Sequence, residues 1–183
     1  MGGRGRIFAL VALALTLSAS VVGAASAAPA ASVDTRTLTS VDSLETQVLA
    51  QLNAIRRKNG LVPLRISRPL TAAADAHSKA MGTHGFFAHD SRDGSEFWKR
   101  VKRFYGPAGY SQWSVGENLL WSSGRLDAAE AMRLWMNSPG HRKNILTARW
   151  REIGLSAVGV RAAPGVYGGR DVVIITTDFG VRS

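Results

Sequence analysis

The pattern of apolar and polar positions predicts a long first helix. Asp42 and Glu45 are spaced as in a capping box. Apolar residues then recur at helical spacing until Asn59 and Gly60, a pair typical of a helix end. The residues on this stripe are Leu44, Val48, Leu52 and Ile55.

Three further helices are predicted downstream. Pro69 suits the first turn of the second helix, whose apolar face includes His77. The third helix is indicated by the spacing of Phe97 and Val101, and the fourth begins at Asp127. Because His77 shares an apolar face, we expect a core histidine with its hydrogen bonds satisfied.

Extended segments are predicted at residues 115–121, 152–160 and 171–179. A stretch rich in Pro and Gly between the last two is typical of a hairpin loop. Helices come first and strands later, with one more helix enclosed between strands. This order favours the α+β class over alternating βαβ units.

The N-terminal residues match a secretory signal peptide. Arg4 and Arg6 precede an apolar run over 7–22, and residues 25–27 read Ala-Ser-Ala, a cleavage pattern. We therefore predict a signal peptide at 1–28 and a protein that is secreted and extracellular, in contact with the cell envelope. The alternative is an uncleaved anchor helix.

A flexible leader is predicted for residues 29–40, which are mainly Ala, Ser, Thr and Pro. Residues 41–183 then form one domain with a core of its own. The chain contains no cysteine, so no disulfide framework supports it.

Basic residues exceed acidic ones, with 23 Lys and Arg against 13 Asp and Glu. Removal of the signal peptide, which contains two Arg and no acid, leaves 21 against 13, a charge of +8. For an exported protein this balance favours anionic lipid or cell-wall material as a partner. No nucleic acid partner is expected, and each basic cluster alone is typical of a solvated face.

Several short motifs, in their order and spacing, resemble the CAP superfamily in its bacterial form without cysteines. This family is also known as the SCP domain, or cysteine-rich secretory protein, antigen 5 and pathogenesis-related 1 domain. The resemblance covers about residues 49–180 and implies a three-layer α-β-α sandwich with a central, mainly antiparallel sheet and a large cleft. The motifs are Leu52-Asn53-Ala54-Ile55-Arg56 with Gly60-Leu61-Val62-Pro63-Leu64, Ala76-His77-Ser78, Phe87-Ala88-His89, Gly116-Glu117-Asn118, Trp135-Met136-Asn137-Ser138-Pro139-Gly140-His141-Arg142 and Asp178-Phe179-Gly180.

The resemblance also implies site residues. The family's cleft often holds two histidines and two acids, and His89, Glu117 and His141 match three of them. Ser138 stands where the second acid of the eukaryotic pattern belongs. Two imidazoles with a carboxylate or water suit zinc or a similar divalent metal, with Glu117 as a ligand or as the group that orients a histidine. Alternatively, the three side chains only hydrogen-bond one another.

Two functions remain open at this point. The first is an extracellular binding module for a lipid, a cell-wall polymer or a protein, with a divalent metal in its cleft and no organic cofactor. The second is a metal-assisted hydrolase in which Glu117 acts as the base. A serine-hydrolase role for Ser138 is disfavoured, because no Gly-x-Ser-x-Gly elbow surrounds it. We also expect His89 and His141 to lie in loops, and Trp98 to be exposed.

Overall fold

The computed structural model describes residues 38–124 and 126–183. The predicted signal peptide and residues 29–37 of the predicted leader lie outside these ranges. Within them the chain forms five α-helices and five strands. The helices are α1 (Asp42–Lys58), α2 (Arg68–His84), α3 (Phe97–Phe104), α4 (Ala128–Asn137) and α5 (Pro139–Leu146).

The first four helices lie where the apolar pattern predicted them. The fifth, α5, was not predicted, since Ser138 followed by Pro-Gly is typical of a turn. Instead, Ser138 ends α4 and begins α5, with Pro139 in the first turn of the new helix. Proline is tolerated there, because the first amide groups of a helix have no partner within it.

The strands form one mixed sheet in which most pairs are antiparallel. The order is β1-β4-β5-β3, and the short strand β2 pairs with β4 in parallel. The predicted α+β class and mainly antiparallel sheet are confirmed. The strands are β1 (Leu38–Ser40), β2 (Arg65–Ile66), β3 (Trp113–Ser122), β4 (Glu152–Ala163) and β5 (Arg170–Arg182).

Strand β1 lies inside the segment that was predicted as leader. Residues 38–40 pair antiparallel with residues 158–160 of β4. Regular structure therefore begins before residue 41, because the backbone of these three residues completes a hydrogen-bonded edge that composition alone does not reveal.

Helices cover both faces of the sheet. On one face, apolar residues of α1, α4 and α5 pack against strand residues such as Ile153 and Phe179. On the other, α2 lies against residues that alternate with these, among them Val158 and Ile174, and α3 packs against α2 and the start of β3. This alternation is the period-2 pattern of strands buried on both sides.

The predicted capping box of α1 does not form. Val41 is the N-cap residue, and Glu45 accepts a hydrogen bond at 2.7 Å from the backbone amide of Ala157 in β4. Glu45 therefore fastens α1 to the sheet. The hydrogen bond from Ala157, which lies 112 positions further along the chain, takes the place of the local capping contact of Glu45.

Close packing of α2 on β4 requires a glycine at position 154. A Cβ atom built there would lie 2.0 Å from the carbonyl carbon of Leu70 and 2.2 Å from the amide nitrogen of Thr71. Both atoms belong to the helix backbone, so no side-chain movement relieves the overlap. Gly154 sets the distance between the helix and the sheet.

We predict that Gly154→Ala lowers the free energy of unfolding by about 3 kcal/mol or more, because the backbones must separate. Gly140→Ala is the matched control. Gly140 lies in α5, and a Cβ atom built there meets nothing within 4 Å. Alanine also forms helices better than glycine does. The control should gain roughly 0.5 kcal/mol. Equal stability of the two variants in chemical denaturation would contradict this account of the packing.

Candidate functional site

The site is built around the carboxylate of Glu117. This residue lies on β3, the strand at one edge of the β1-β4-β5-β3 path, and is buried. Its Oε1 lies 2.8 Å from Nδ1 of His89, and its Oε2 accepts a hydrogen bond from Nη2 of Arg100. An ionised carboxylate only accepts hydrogen bonds, so Nδ1 of His89 is the donor and its Nε2 remains free of this contact.

Arg100 joins this network from α3. Its side chain is buried, and Nη1 donates to the carbonyl of His89 at 3.0 Å and to the hydroxyl of Ser91 at 3.2 Å. One guanidinium therefore neutralises Glu117 and also holds the loop that carries His89. The basic cluster that includes Arg100 was interpreted as a solvated face, and that interpretation is wrong for this residue.

Asp178 is a second buried acid at the site, and sequence reasoning did not assign it a role. In the sheet register it stands directly opposite Glu117 on β5. The carbonyl of Glu117 accepts from the side chain of Asn144 at 2.9 Å, outside the sheet. Glu117 and Asp178 thus form a non-hydrogen-bonded cross-strand pair, the type in which facing side chains come closest.

The environment of Asp178 favours the protonated acid. Burial raises the pKa of Asp178 well above its ordinary value, and the Glu117 charge adds to this, while Arg100 opposes it. The guanidinium of Arg100 thus faces two carboxyl groups, Glu117 and Asp178. The proton on Asp178 removes the second negative charge.

We predict that Asp178→Asn is more stable than the wild-type protein at neutral pH, with an advantage that grows as pH rises. The folded protein keeps a proton on Asp178 that the unfolded chain releases, so this residue lowers wild-type stability above its unfolded pKa. Asparagine has the same shape and no charge. The measurement is denaturant unfolding across pH, with Asp75→Asn on the surface as control. An advantage of the variant over wild type that shrinks as pH rises would contradict a protonated Asp178.

His77 confirms the prediction of a core histidine. It is buried on α2, and its Nε2 lies 2.9 Å from the carbonyl of Ala88. Burial is the main reason that the pKa of His77 falls to about 4, so the ring is neutral at physiological pH. The contact to Ala88 fixes the backbone next to His89, which links this core residue to the site.

We predict that His77 makes stability fall with acidification between pH 6.5 and 4. The unfolded chain binds a proton in this window and the folded protein does not, so the loss is on the order of 3 kcal/mol. His77→Gln keeps a donor for Ala88 without titrating, and the advantage of wild type over this variant should shrink as pH falls. A pH-independent difference for His77→Gln would overturn the assignment.

His141 lies on α5, in its first turn, and not in a loop as predicted. Its imidazole is half-buried, and its pKa is lowered by burial and by the nearby His89. Its backbone carbonyl accepts from the side chain of Asn118 at 3.1 Å, and Asn144 of the same helix bonds to Asn118 and to the backbone of β3. Helix α5 is thereby fastened to the sheet edge.

A cleft of about 360 Å³ opens at this edge of the sheet. His89, Glu117 and Asn144 provide its polar lining, and Phe97 and Val115 provide apolar walls. His89 is exposed, whereas Glu117 is not, so the imidazole is the part of the network that a ligand can reach.

His89 lines the cleft, whereas His141 is not among the residues that line it. Among residues 38–124 and 126–183, no group of three His, Cys, Asp or Glu is arranged to hold an ion. Both oxygens of Glu117 are engaged, by His89 and by Arg100. Of the two roles predicted for Glu117, its contacts therefore favour orientation of His89.

Ser138 and Trp98 have structural rather than catalytic surroundings. Ser138 is the cap residue shared by α4 and α5, and its carbonyl accepts from the amide of Arg142. Trp98 is half-buried and not exposed as predicted, with the ammonium of Lys99 lying 5.3 Å from its ring centroid.

The family model described as CAP, cysteine-rich secretory protein family, matches residues 49–172. The chain belongs to this family. The match spans every element from within α1 to the start of β5, including His89, Glu117 and His141, as the motifs indicated. CAP membership and the α+β sandwich are thus established together.

Relatives and solved structures agree with this assignment. YkwD of Bacillus subtilis is 38% identical over 138 residues, which are 73% of this chain and 51% of YkwD. An extracellular SCP-domain protein of Bacillus anthracis is 28% identical with a TM-score of 0.56, over 75% of this chain and 40% of that one. An outer surface protein of Borrelia burgdorferi, at 18% identity, shares the fold with a TM-score of 0.65 over 79% of this chain and 98% of that one. The chain thus spans about half the length of YkwD.

No helix in the described part of the chain combines the length and the apolar character needed to cross a membrane.

Proposed function

We propose that this CAP domain is an extracellular binding module whose ligand enters the cleft at the edge of β3. The observation that carries the proposal is the engagement of Glu117 by both His89 and Arg100. The cleft therefore offers the oriented imidazole of His89, and the Glu117 carboxylate that lines it is already engaged at both oxygens. Export through the predicted signal peptide, and the extracellular origin of the Bacillus anthracis SCP protein, support the location.

We further propose that His89 and His141 hold a divalent metal, zinc or a similar ion. Glu117 fixes the His89 ring with Nδ1 as donor, which leaves Nε2 as the ligand atom. A lowered pKa keeps His141 neutral, the form that binds metal. When bound, the ion would supply open coordination positions for an oxygen-bearing ligand.

The alternative, a metal-assisted hydrolase with Glu117 as base, has weaker support. A general base must be free to accept a proton from water at a distance of one hydrogen bond. Glu117 is buried, and Arg100 stabilises its charged form. The second buried acid, Asp178, favours the protonated state and has no contact with the exposed face of His89 in the network described above.

We predict that isolated protein binds zinc and that His89→Ala and His141→Ala each abolish binding, because one imidazole is too few. Glu117→Gln should weaken binding about 10-fold to 100-fold through loss of orientation of His89. The measurement is calorimetric titration with zinc beside thermal melting of each variant. His84→Ala, which removes an exposed histidine outside the cleft, is the matched control and should bind as wild type.

Both histidine variants should stay folded, and His89→Ala should keep the wild-type melting temperature within a few degrees, since His89 is exposed. If they retain zinc and melt far below wild type, the two residues belong to a structural network and the proposed site is wrong.

Incubation of the protein with envelope extract separates binding from hydrolysis. Mass spectrometry of the repurified protein should find a retained ligand, reduced in His89→Ala. A product released into the supernatant by wild type, and not by Glu117→Gln, would support the hydrolase and contradict the binding module.

A further inference from the structure

A second concave surface lies beside the cleft and is lined by arginines. This groove, of about 700 Å³, is formed where the start of β3 meets the end of β5. Arg149, Arg151 and Arg182 line it, and Trp113 and Ser114 contribute from β3. We refer to these five residues as the arginine groove. It includes none of the residues that line the cleft.

The three guanidinium groups have no acidic partner. Within the described ranges, no Asp or Glu oxygen lies within 4 Å of Arg149, Arg151 or Arg182. The nearby acid Glu152 is engaged by the hydroxyl of Tyr105. The carbonyl of Ser183, which also borders the groove, accepts from backbone amides of 111 and 112. Three like charges thus surround one concavity in which no described Asp or Glu side chain pairs with them, and Ser183 also lines it.

These arginines are nevertheless held in place. Arg151 donates to the carbonyls of Ala148 at 2.7 Å and Trp150 at 2.9 Å. The guanidinium carbon of Arg149 lies 4.6 Å from the ring centroid of Trp150. Side chains that are already ordered lose little conformational freedom when a ligand binds.

Arg182 is held by two aromatic rings. Its guanidinium carbon lies 4.1 Å from the ring centroid of Tyr105 and 4.7 Å from that of Tyr110. Stacking on rings occupies the face of a guanidinium. Nη1 of Arg182 donates to the carbonyl of Gly106 at 3.5 Å, and the other N–H groups at its edge are left for an anion.

The shape and chemistry of the groove favour a chain over a single ion or a membrane surface. Its volume is many times the roughly 30 Å³ of one water molecule. A flat lipid surface does not enter a concavity, whereas a linear polymer does. Phosphate groups suit several guanidinium forks at once, because each presents multiple acceptor oxygens.

We propose that the arginine groove binds a phosphate-bearing polyanionic chain. The proposal rests on the proposed function only for the location outside the cytoplasm, where envelope polymers are the available polyanions. It needs no metal and no histidine. The groove thus gives the basic charge of the protein a specific point of attachment, beside the cleft and independent of it.

The test is binding of long-chain polyphosphate, measured by calorimetry at several salt concentrations. Arg149→Gln/Arg151→Gln should bind at least 10-fold more weakly than wild type. It should also lower the slope of log K against log salt by about two, one for each lost phosphate contact. Lys102→Gln/Arg103→Gln, on the exposed side of α3, removes the same charge and should bind within about 2-fold of wild type. Arg149→Gln alone, at an exposed position, provides the comparison if the double variant does not fold.

Other outcomes decide against the proposal. An equal loss in the α3 control would mean diffuse charge attraction and no groove site. Polyglutamate of equal charge binding as tightly as polyphosphate would overturn the preference for phosphate. Binding to phosphatidylglycerol vesicles, but not to polyphosphate, that depends on Arg149 and Arg151 would replace the polymer with a membrane. His89→Ala should bind polyphosphate as wild type does, so failure of the cleft proposal leaves this result unaffected.

Discussion

The buried charge of Glu117 is the constraint on which the candidate site depends. A carboxylate removed from water needs cationic and hydrogen-bonding partners, and Arg100 and His89 supply them. Since these residues come from β3, α3 and the loop after α2, one network fixes three elements at the sheet edge. His77 adds to this order from the core, because it holds the carbonyl next to His89.

The same constraint limits the chemistry of the cleft. Glu117 is stabilised as an anion and has no free oxygen, and Asp178 opposite it favours the protonated form. The group of this network that remains available to a ligand is the imidazole of His89. In our proposals, β3 therefore serves two surfaces that differ in chemistry: a cleft for a metal and its ligand, and an arginine groove for a phosphate chain.

The local sequence pattern was sufficient to predict four helices and three long strands. It was also sufficient to identify the family motifs that contain His89, Glu117 and His141. It failed where a distant contact decided the outcome. Asp178 acquires its role from cross-strand register, which no local pattern specifies. The burial of Arg100 could have been predicted from the sequence, because this residue lies three positions after Phe97 and one before Val101, on the apolar side of its helix. Helix α5 was missed because the same Ser-Pro-Gly sequence suits both a turn and a helix start.

The central claim is that Glu117 orients His89 so that Nε2 is the atom offered to a ligand. Nitrogen-15 NMR of the histidine rings tests this directly, because it distinguishes the two neutral tautomers. The account predicts that neutral His89 carries its proton on Nδ1 and that zinc shifts the Nε2 resonance of His89 in wild type. Glu117→Gln should lose the preference for one tautomer. A proton on Nε2 of neutral His89 in the wild-type protein would contradict the account.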